Sequence, residues 1–331
     1  MSKFTDMADT SHRLSLTAME EASRYGQRTA DLDHMLLALT VTEQIAGQVL
    51  RSLGITLEAV RGAVEAQHAA QLASLGITAD APEPGPIVFH ETGGYEWSDR
   101  SLAVFKRANE HGKSGDAAAV LRELMAEPSG LIEQLLRRLG SSPEAVLAGL
   151  DDAERIPTHK PSRAPGAVLT TSAEAFVPAP VSKVWALLTD PFRMPEWDQM
   201  LGSVEAAETP TGPRLGDRWV GRARAARPDG KPLKIKAEFQ RQSIQLHALE
   251  PETHVVWRVT YPDAKLANTR VTRIDLTPAA GGTQLAITYG WERHPDRQPR
   301  PPLGFLLRPL TRYAIWMQLT HISAGISRAF R

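Results

Sequence analysis

Ile315, Leu319, Ile322, Ile326 and Phe330 recur along the last thirty residues of the chain at steps of four, three, four and four, the spacing that lines one face of a helix. A second row, Leu306, Leu310, Tyr313 and Met317 with Trp316 beside it, widens the apolar stripe past what an ordinary surface helix carries. Such a helix must lie on something. Pro301 and Pro302 stop whatever precedes it and Pro309 restricts its first turn, so the regular part is expected from about Arg308.

The stretch before it has the alternation of a sheet. Thr170–Val177 reads as a strand, Val181–Leu188 as a helix with Pro180 at its first turn, and Pro195-Glu196-Trp197-Asp198 as a second short helix. Strand-like runs follow near 203–208, 218–226, 233–242, 254–261, 269–277 and 283–291, divided by turn residues such as Pro228-Asp229-Gly230 and Gly281-Gly282. Strand, two helices, six strands and a long helix make an α+β order in which an antiparallel sheet wraps one helix. Taking every second residue selects a drier face: Trp219, Gly221 and Ala223; Ile235, Ala237 and Phe239; Val255, Trp257, Val259 and Tyr261; Leu285, Ile287, Tyr289 and Trp291. From the residues alone this face either fills a core or lines a pocket.

With Ala179-Pro180-Val181-Ser182-Lys183-Val184-Trp185, Asp190-Pro191, Pro195-Glu196-Trp197-Asp198 and Gly216-Asp217-Arg218-Trp219 in place, residues 168–331 resemble the START-like polyketide cyclase/dehydratase and lipid-transport superfamily. The resemblance implies a helix-grip fold, a curved antiparallel sheet closing on the C-terminal helix, with a cavity between them for an apolar or aromatic small molecule. Trp219, Phe239, Trp257, Tyr261, Tyr289, Trp291, Tyr313, Trp316 and Met317 are then the expected ligand-binding residues. Some members cyclise and dehydrate polyketides, and Tyr289, Tyr313 and Arg273 are the candidates for polarising a carbonyl or enolate here. Tyr on a strand is more often packing, so the reading leans away from an enzyme.

The first 150 residues are different in kind. Leu50-Arg51-Ser52-Leu53-Gly54 returns as Leu136-Arg137-Arg138-Leu139-Gly140, and Leu57-Glu58-Ala59-Val60 as Pro143-Glu144-Ala145-Val146, each 86 positions on (136 − 50 and 143 − 57). Gly26 returns as Gly112 at the same offset. Each copy reads as four short helices with Gly stops and Asp, Ser or Thr caps. Pro- and Gly-rich residues 77–96 between the copies read as loop, and Pro-rich 151–167 as a stiff linker.

Phe4-Thr5-Asp6, the block Asp31–Leu39, and Val49–Ile55 with Leu57-Glu58-Ala59-Val60 make residues 1–150 similar to the N-terminal repeat domain of Clp unfoldases. That resemblance implies an all-helical double repeat that binds clients or adaptors. Asp33 is the position that in some members helps bind phosphorylated arginine, and its counterpart in the second copy is Ala118. Phe4 and Trp97, matching positions of the two copies, would form a peptide-docking patch or pack as staples.

Composition removes several classes. Thirty-eight basic and 38 acidic residues cancel, so no global field favours nucleic acid. The one basic run, Arg222, Arg224, Arg227, Lys231, Lys234 and Lys236, has its aromatics on the opposite face and reads as a solvated exterior. Absence of cysteine excludes thiolate catalysis and disulfides, and no histidine spacing suits a metal. The only Gly-Lys-Ser, Gly112-Lys113-Ser114, has Arg107 where a phosphate loop needs Gly. The polar start and the lack of a long apolar run lead us to expect a soluble, cytoplasmic chain without membrane span, metal or cofactor. The expected function is a ligand-responsive adaptor without ATPase activity, with Clp components or client proteins as partners. The alternatives are a cyclase/dehydratase-like enzyme and a chaperone cofactor with no small-molecule ligand.

Overall fold

A computed structural model of the chain describes residues 3–77, 83–87, 94–110, 112–155, 170–205, 214–226, 231–294, 296 and 308–331, with only the backbone for 3–6, 308–310 and 312. The chain divides into two compact units, Met1–His159 and Lys160–Arg331.

The first unit is helical: α1 (Lys3–Ser23), α2 (Leu32–Thr40), α3 (Ile45–Ser52) and α4 (Leu57–Ser74), then α5 (Asp99–Asn109), α6 (Ala117–Met125), α7 (Leu131–Arg138) and α8 (Pro143–Glu154). The repeat is visible in the stops and caps. Gly54 and Gly140 end α3 and α7 at φ 76° and 71°, a left-handed conformation that costs any other residue energy. Thr56 and Ser142, the N-caps of α4 and α8, accept from Ala59 N and Ala145 N. The copies are joined by a two-residue parallel ladder, β1 (Thr29–Ala30) on β2 (Glu96–Trp97), so the expected loop over 77–96 ends in a strand. Helix α8 runs to Glu154, four residues into the expected linker, because Arg122 holds Asp151 and Glu154 at 2.7 and 3.0 Å. Linker residues 156–167 lie outside the described residues.

The second unit has the order β3 (Thr170–Val177), α9 (Val181–Thr189), a 3-10 turn at Pro191–Arg193, α10 (Met194–Trp197), β4 (Leu201–Val204), β5 (Arg218–Ala223), a 3-10 turn at Ala237–Phe239, β6 (Arg241–Glu250), β7 (His254–Thr260), β8 (Thr269–Ala279), β9 (Gly282–Glu292) and α11 (Arg308–Arg328). Its seven strands form one antiparallel sheet in the order β3-β9-β8-β7-β6-β5-β4. This is the expected helix-grip arrangement, and α11 packs on β3, β9 and α10. Ile315, Leu319, Ile322 and Ile326 are buried with the inner faces of the strands, and Phe330 packs against them. Gly325 is required at the contact with α10, since a Cβ there would stand 2.8 Å from Trp197 Cα and 3.0 Å from its carbonyl oxygen.

Two expectations fail in this unit. The strand expected over 233–242 is an irregular segment and a 3-10 turn, and the paired strand is β6, eight residues later. In the second apolar row of α11, Tyr313 is 57% exposed and Met317 38%, while Leu306 and the Leu310 side chain lie outside the described residues. Tyr313 instead lies beside Trp316 on the helix, ring centroids 5.7 Å apart.

Candidate functional site

The alternation of each strand decides which side chains face inward. On β9 Leu285, Ile287 and Tyr289 are buried, on β7 Val255, Trp257 and Val259, and on β5 Trp219. Much of this face is solid core. Trp219 and Trp257 meet edge to face at 5.8 Å, and Trp257 Nε1 donates to Leu188 O at 2.9 Å, at the end of α9. These two expected ligand-binding residues are therefore packed and anchored. Phe239 is half-buried on its 3-10 turn and sets its ring edge-on to Tyr261 at 5.1 Å. Tyr261, Trp291 and Trp316 are half-buried and Tyr289 is buried.

At one end of the same inner face stands a charge that sequence reasoning missed. Arg270 has the inward parity of Ile274 and Leu276 on β8, sits directly between Val259 of β7 and Trp291 of β9, and is 3% exposed. Its Nη1 pairs with Asp198 Oδ2 at 3.1 Å, and its Nη2 donates to Gln242 Oε1 at 2.9 Å. Asp198, equally buried, comes from the connector after α10 and accepts from Met200 N at 3.0 Å. Gln242 Nε2 donates to Met200 O at 3.1 Å. Arg224 holds the same connector from the other side, through the carbonyls of Pro195 and Gln199 at 2.7 and 3.1 Å. It is thus half-buried and structural, where the sequence placed it on a solvated exterior. The parity of Arg270 was the signal available in the sequence.

Burial pushes the hydroxyls of Tyr261 and Tyr289 above the ordinary phenol value, with the Arg270 cation pulling the other way. Tyr289 OH also accepts from Trp291 Nε1 at 3.3 Å. Of the catalytic candidates, Arg273 is on the outer face, paired with Asp275 at 3.0 Å, and Tyr313 is exposed. Tyr289 alone remains inside.

The helical unit has a polar cleft of about 360 Å³, with Thr29, Asp31, Asp33, His68, Arg100 and Gln134 in its wall. Asp33 is buried; its Oδ1 accepts from His34 N at 2.9 Å, and His68 Nε2 stands 3.9 Å from Oδ2. Burial pushes the Asp33 carboxyl up, and contacts with His34 bring it below the ordinary value. The N-cap position belongs to Asp31. Its carboxylate is bound by both ends of the Arg100 guanidinium, Nε to Oδ1 at 2.7 Å, and accepts from Ser98 Oγ at 2.6 Å. Trp97 does not stand free: it is half-buried, donates from Nε1 to Ser15 Oγ at 3.0 Å and meets Phe105 edge-on at 5.0 Å. The Phe4 side chain lies outside the described residues. Among the described residues no three His, Asp or Glu side chains gather as a metal site, and no helix is long and apolar enough to cross a membrane.

Residues 169–316 match the family model for polyketide cyclase/dehydrase and lipid transport, and residues 3–120 match the Clp repeat N-terminal domain. Among solved structures, protein CV1439 from Chromobacterium violaceum is 21% identical over 48% of this chain and 96% of its own, with a TM-score of 0.31. The polyketide cyclase-like protein Cgl2372 from Corynebacterium glutamicum is 21% identical over 49% of this chain and 89% of its own, with a TM-score of 0.31. DynU16, from the dynemicin biosynthetic locus, is 18% identical, and this chain covers only 46% of its length with 48% of its own, at a TM-score of 0.30. No curated protein matches the chain.

Proposed function

We propose that this chain, which joins a Clp-repeat domain to a helix-grip domain of the polyketide cyclase type, is a ligand-responsive adaptor. The helix-grip domain takes a small hydrophobic or aromatic molecule, and the Clp-repeat domain binds a protein partner, a client or a component of a Clp machine. The observation that carries the first half is the break in the inner face. Aliphatic side chains and Trp219 and Trp257 fill most of it, yet one end gathers half-buried aromatics, Tyr261 and Trp291, with Tyr289, around a buried cation. A few fixed polar groups on an apolar wall are what a small-molecule site needs for orientation. Asp33 and the cleft around it support the second half, a carboxylate kept charged and half-screened by His68 where a cationic peptide side chain can enter.

The test uses the full chain. Titration with an alkyl-naphthylamine, a neutral fluorophore, is expected to saturate at one per chain. An enhancement that rises without saturation contradicts a built pocket. For the coupling, the affinity for a fluorescein-labelled unfolded client should differ with and without the fluorophore, and equal affinities contradict an adaptor that responds to its ligand.

A further inference from the structure

The guanidinium of Arg270 is fixed at both nitrogen ends and unsatisfied in the middle. Nη1 is held by Asp198 and Nη2 by Gln242, and both partners are in turn tied to the backbone of Met200. The group therefore cannot turn to find another acceptor. Its Nε is buried and, among the described residues, has no hydrogen-bond partner. A buried, unpaired donor on a charged group is a standing cost. Anchoring the connector after α10 accounts for the two ends and leaves the Nε–H unexplained.

Two further protons are gathered there. Tyr289 lies opposite Thr272, one inward position along from the Arg270–Trp291 pair, so it is a diagonal neighbour of Arg270. Its oxygen already accepts from Trp291 Nε1, which leaves its own O–H to donate. Tyr261 follows β7 on the same face, and the charge of Arg270 acts on both phenols. Their raised values keep both hydroxyls protonated at neutral pH.

We infer that Arg270 Nε–H and the hydroxyls of Tyr289 and Tyr261 form a donor set that takes the carbonyl-type oxygen of an uncharged, otherwise apolar ligand. The assignment rests on the ligand-binding reading above and names the ligand chemistry that the site accepts. The ligand is uncharged because Asp198 already balances Arg270 in a buried place. A carboxylate entering there would be a second anion beside Asp198, whose charge Arg270 already balances, and a buried charge without its own counterion is expensive. A ketone, quinone, lactone or amide oxygen supplies the missing acceptor without adding charge.

Three fluorophores on one dimethylamino-naphthalene ring test this on the full chain: an ethyl ketone, an alkyl compound of matched length, and a carboxylate. The wild type is expected to bind the ketone about tenfold more tightly than the alkyl compound and the carboxylate more weakly than the ketone by a similar factor. Tyr289→Phe, which leaves the ion pair intact, should shrink the ketone preference severalfold without changing alkyl affinity. The paired variant Arg270→Gln with Asp198→Asn, which removes both charges together, should abolish the preference. Equal binding of ketone and alkyl compound by the wild type overturns the assignment, because a water then satisfies Nε. A ketone preference undiminished in Tyr289→Phe overturns it too, and that variant decides the matter should the paired one not fold. Tightest binding of the carboxylate overturns the uncharged class. Failure of the wild type to bind either neutral compound is a different result, since it removes the ligand-binding reading itself.

Discussion

Arg270 Nη1 and Asp198 Oδ2 lie 3.1 Å apart with each side chain no more than 5% exposed, an ion pair between the start of β8 and the connector after α10. Two charges taken out of water repay their desolvation only while they face each other. Arg270→Met or Asp198→Ala alone should therefore destabilise the C-terminal domain by about 3–5 kcal/mol, and Arg270→Met with Asp198→Leu should recover most of that loss. Urea unfolding followed by tryptophan fluorescence, which reports on Trp197, Trp219 and Trp257 in this domain, measures the difference. Additive losses in the double variant would mean that the two charges do not depend on each other.

Gly325 sits where α11 crosses the backbone of Trp197, with Cα and carbonyl oxygen inside contact distance of any added Cβ. Backbone atoms cannot swing away as a side chain can, so Gly325→Ala should cost roughly 1–3 kcal/mol. Tyr313→Ala, at an exposed position of the second row, should stay within about 0.5 kcal/mol of the wild type. The reverse ranking in thermal unfolding would mean that α11 is seated on its other face.

Asp31 is set by opposing influences. Burial, the largest, pushes its carboxyl up, but hydrogen bonds from Arg100, Ser98 and the Leu32 N–H hold it at about 2, below the ordinary 3.8. A carboxylate depressed in the folded state stabilises it above the unfolded value and loses that contribution as protons are taken up on the way down. The helical domain should thus lose stability as pH falls from about 4 towards 2, and Arg100→Gln should flatten that part of the profile. Urea midpoints followed by circular dichroism across this range check it; parallel profiles for wild type and variant would dissociate Arg100 from the effect.

The large features of this fold are written locally in the sequence. The 86-residue echo predicts the paired stops at Gly54 and Gly140, the buried row on α11 follows from its spacing, and strand parity orients Trp219, Trp257 and Tyr289 correctly. What failed depends on partners far along the chain. Ile235, Ala237 and Phe239 alternate without a strand to pair with, while a bulge between Leu246 and Ala248 interrupts the alternation of the true strand β6. The two rows of α11 are equally apolar on paper, and only the sheet chooses between them. Arg270 was readable from its parity, but its partner Asp198 is 72 residues away and is brought to it by the fold. The helix cap beside Asp33 is Asp31, whose carboxylate goes to Arg100 in the other repeat copy, a partner that no local pattern announces.

The central claim is that the helix-grip domain holds a small apolar molecule. Native mass spectrometry of the full chain purified from its own host tests it most directly. The account predicts a discrete mass excess of one small molecule per chain that disappears on denaturation, and that an added naphthyl ketone displaces. A bare chain mass that stays bare in the presence of excess ketone would contradict it.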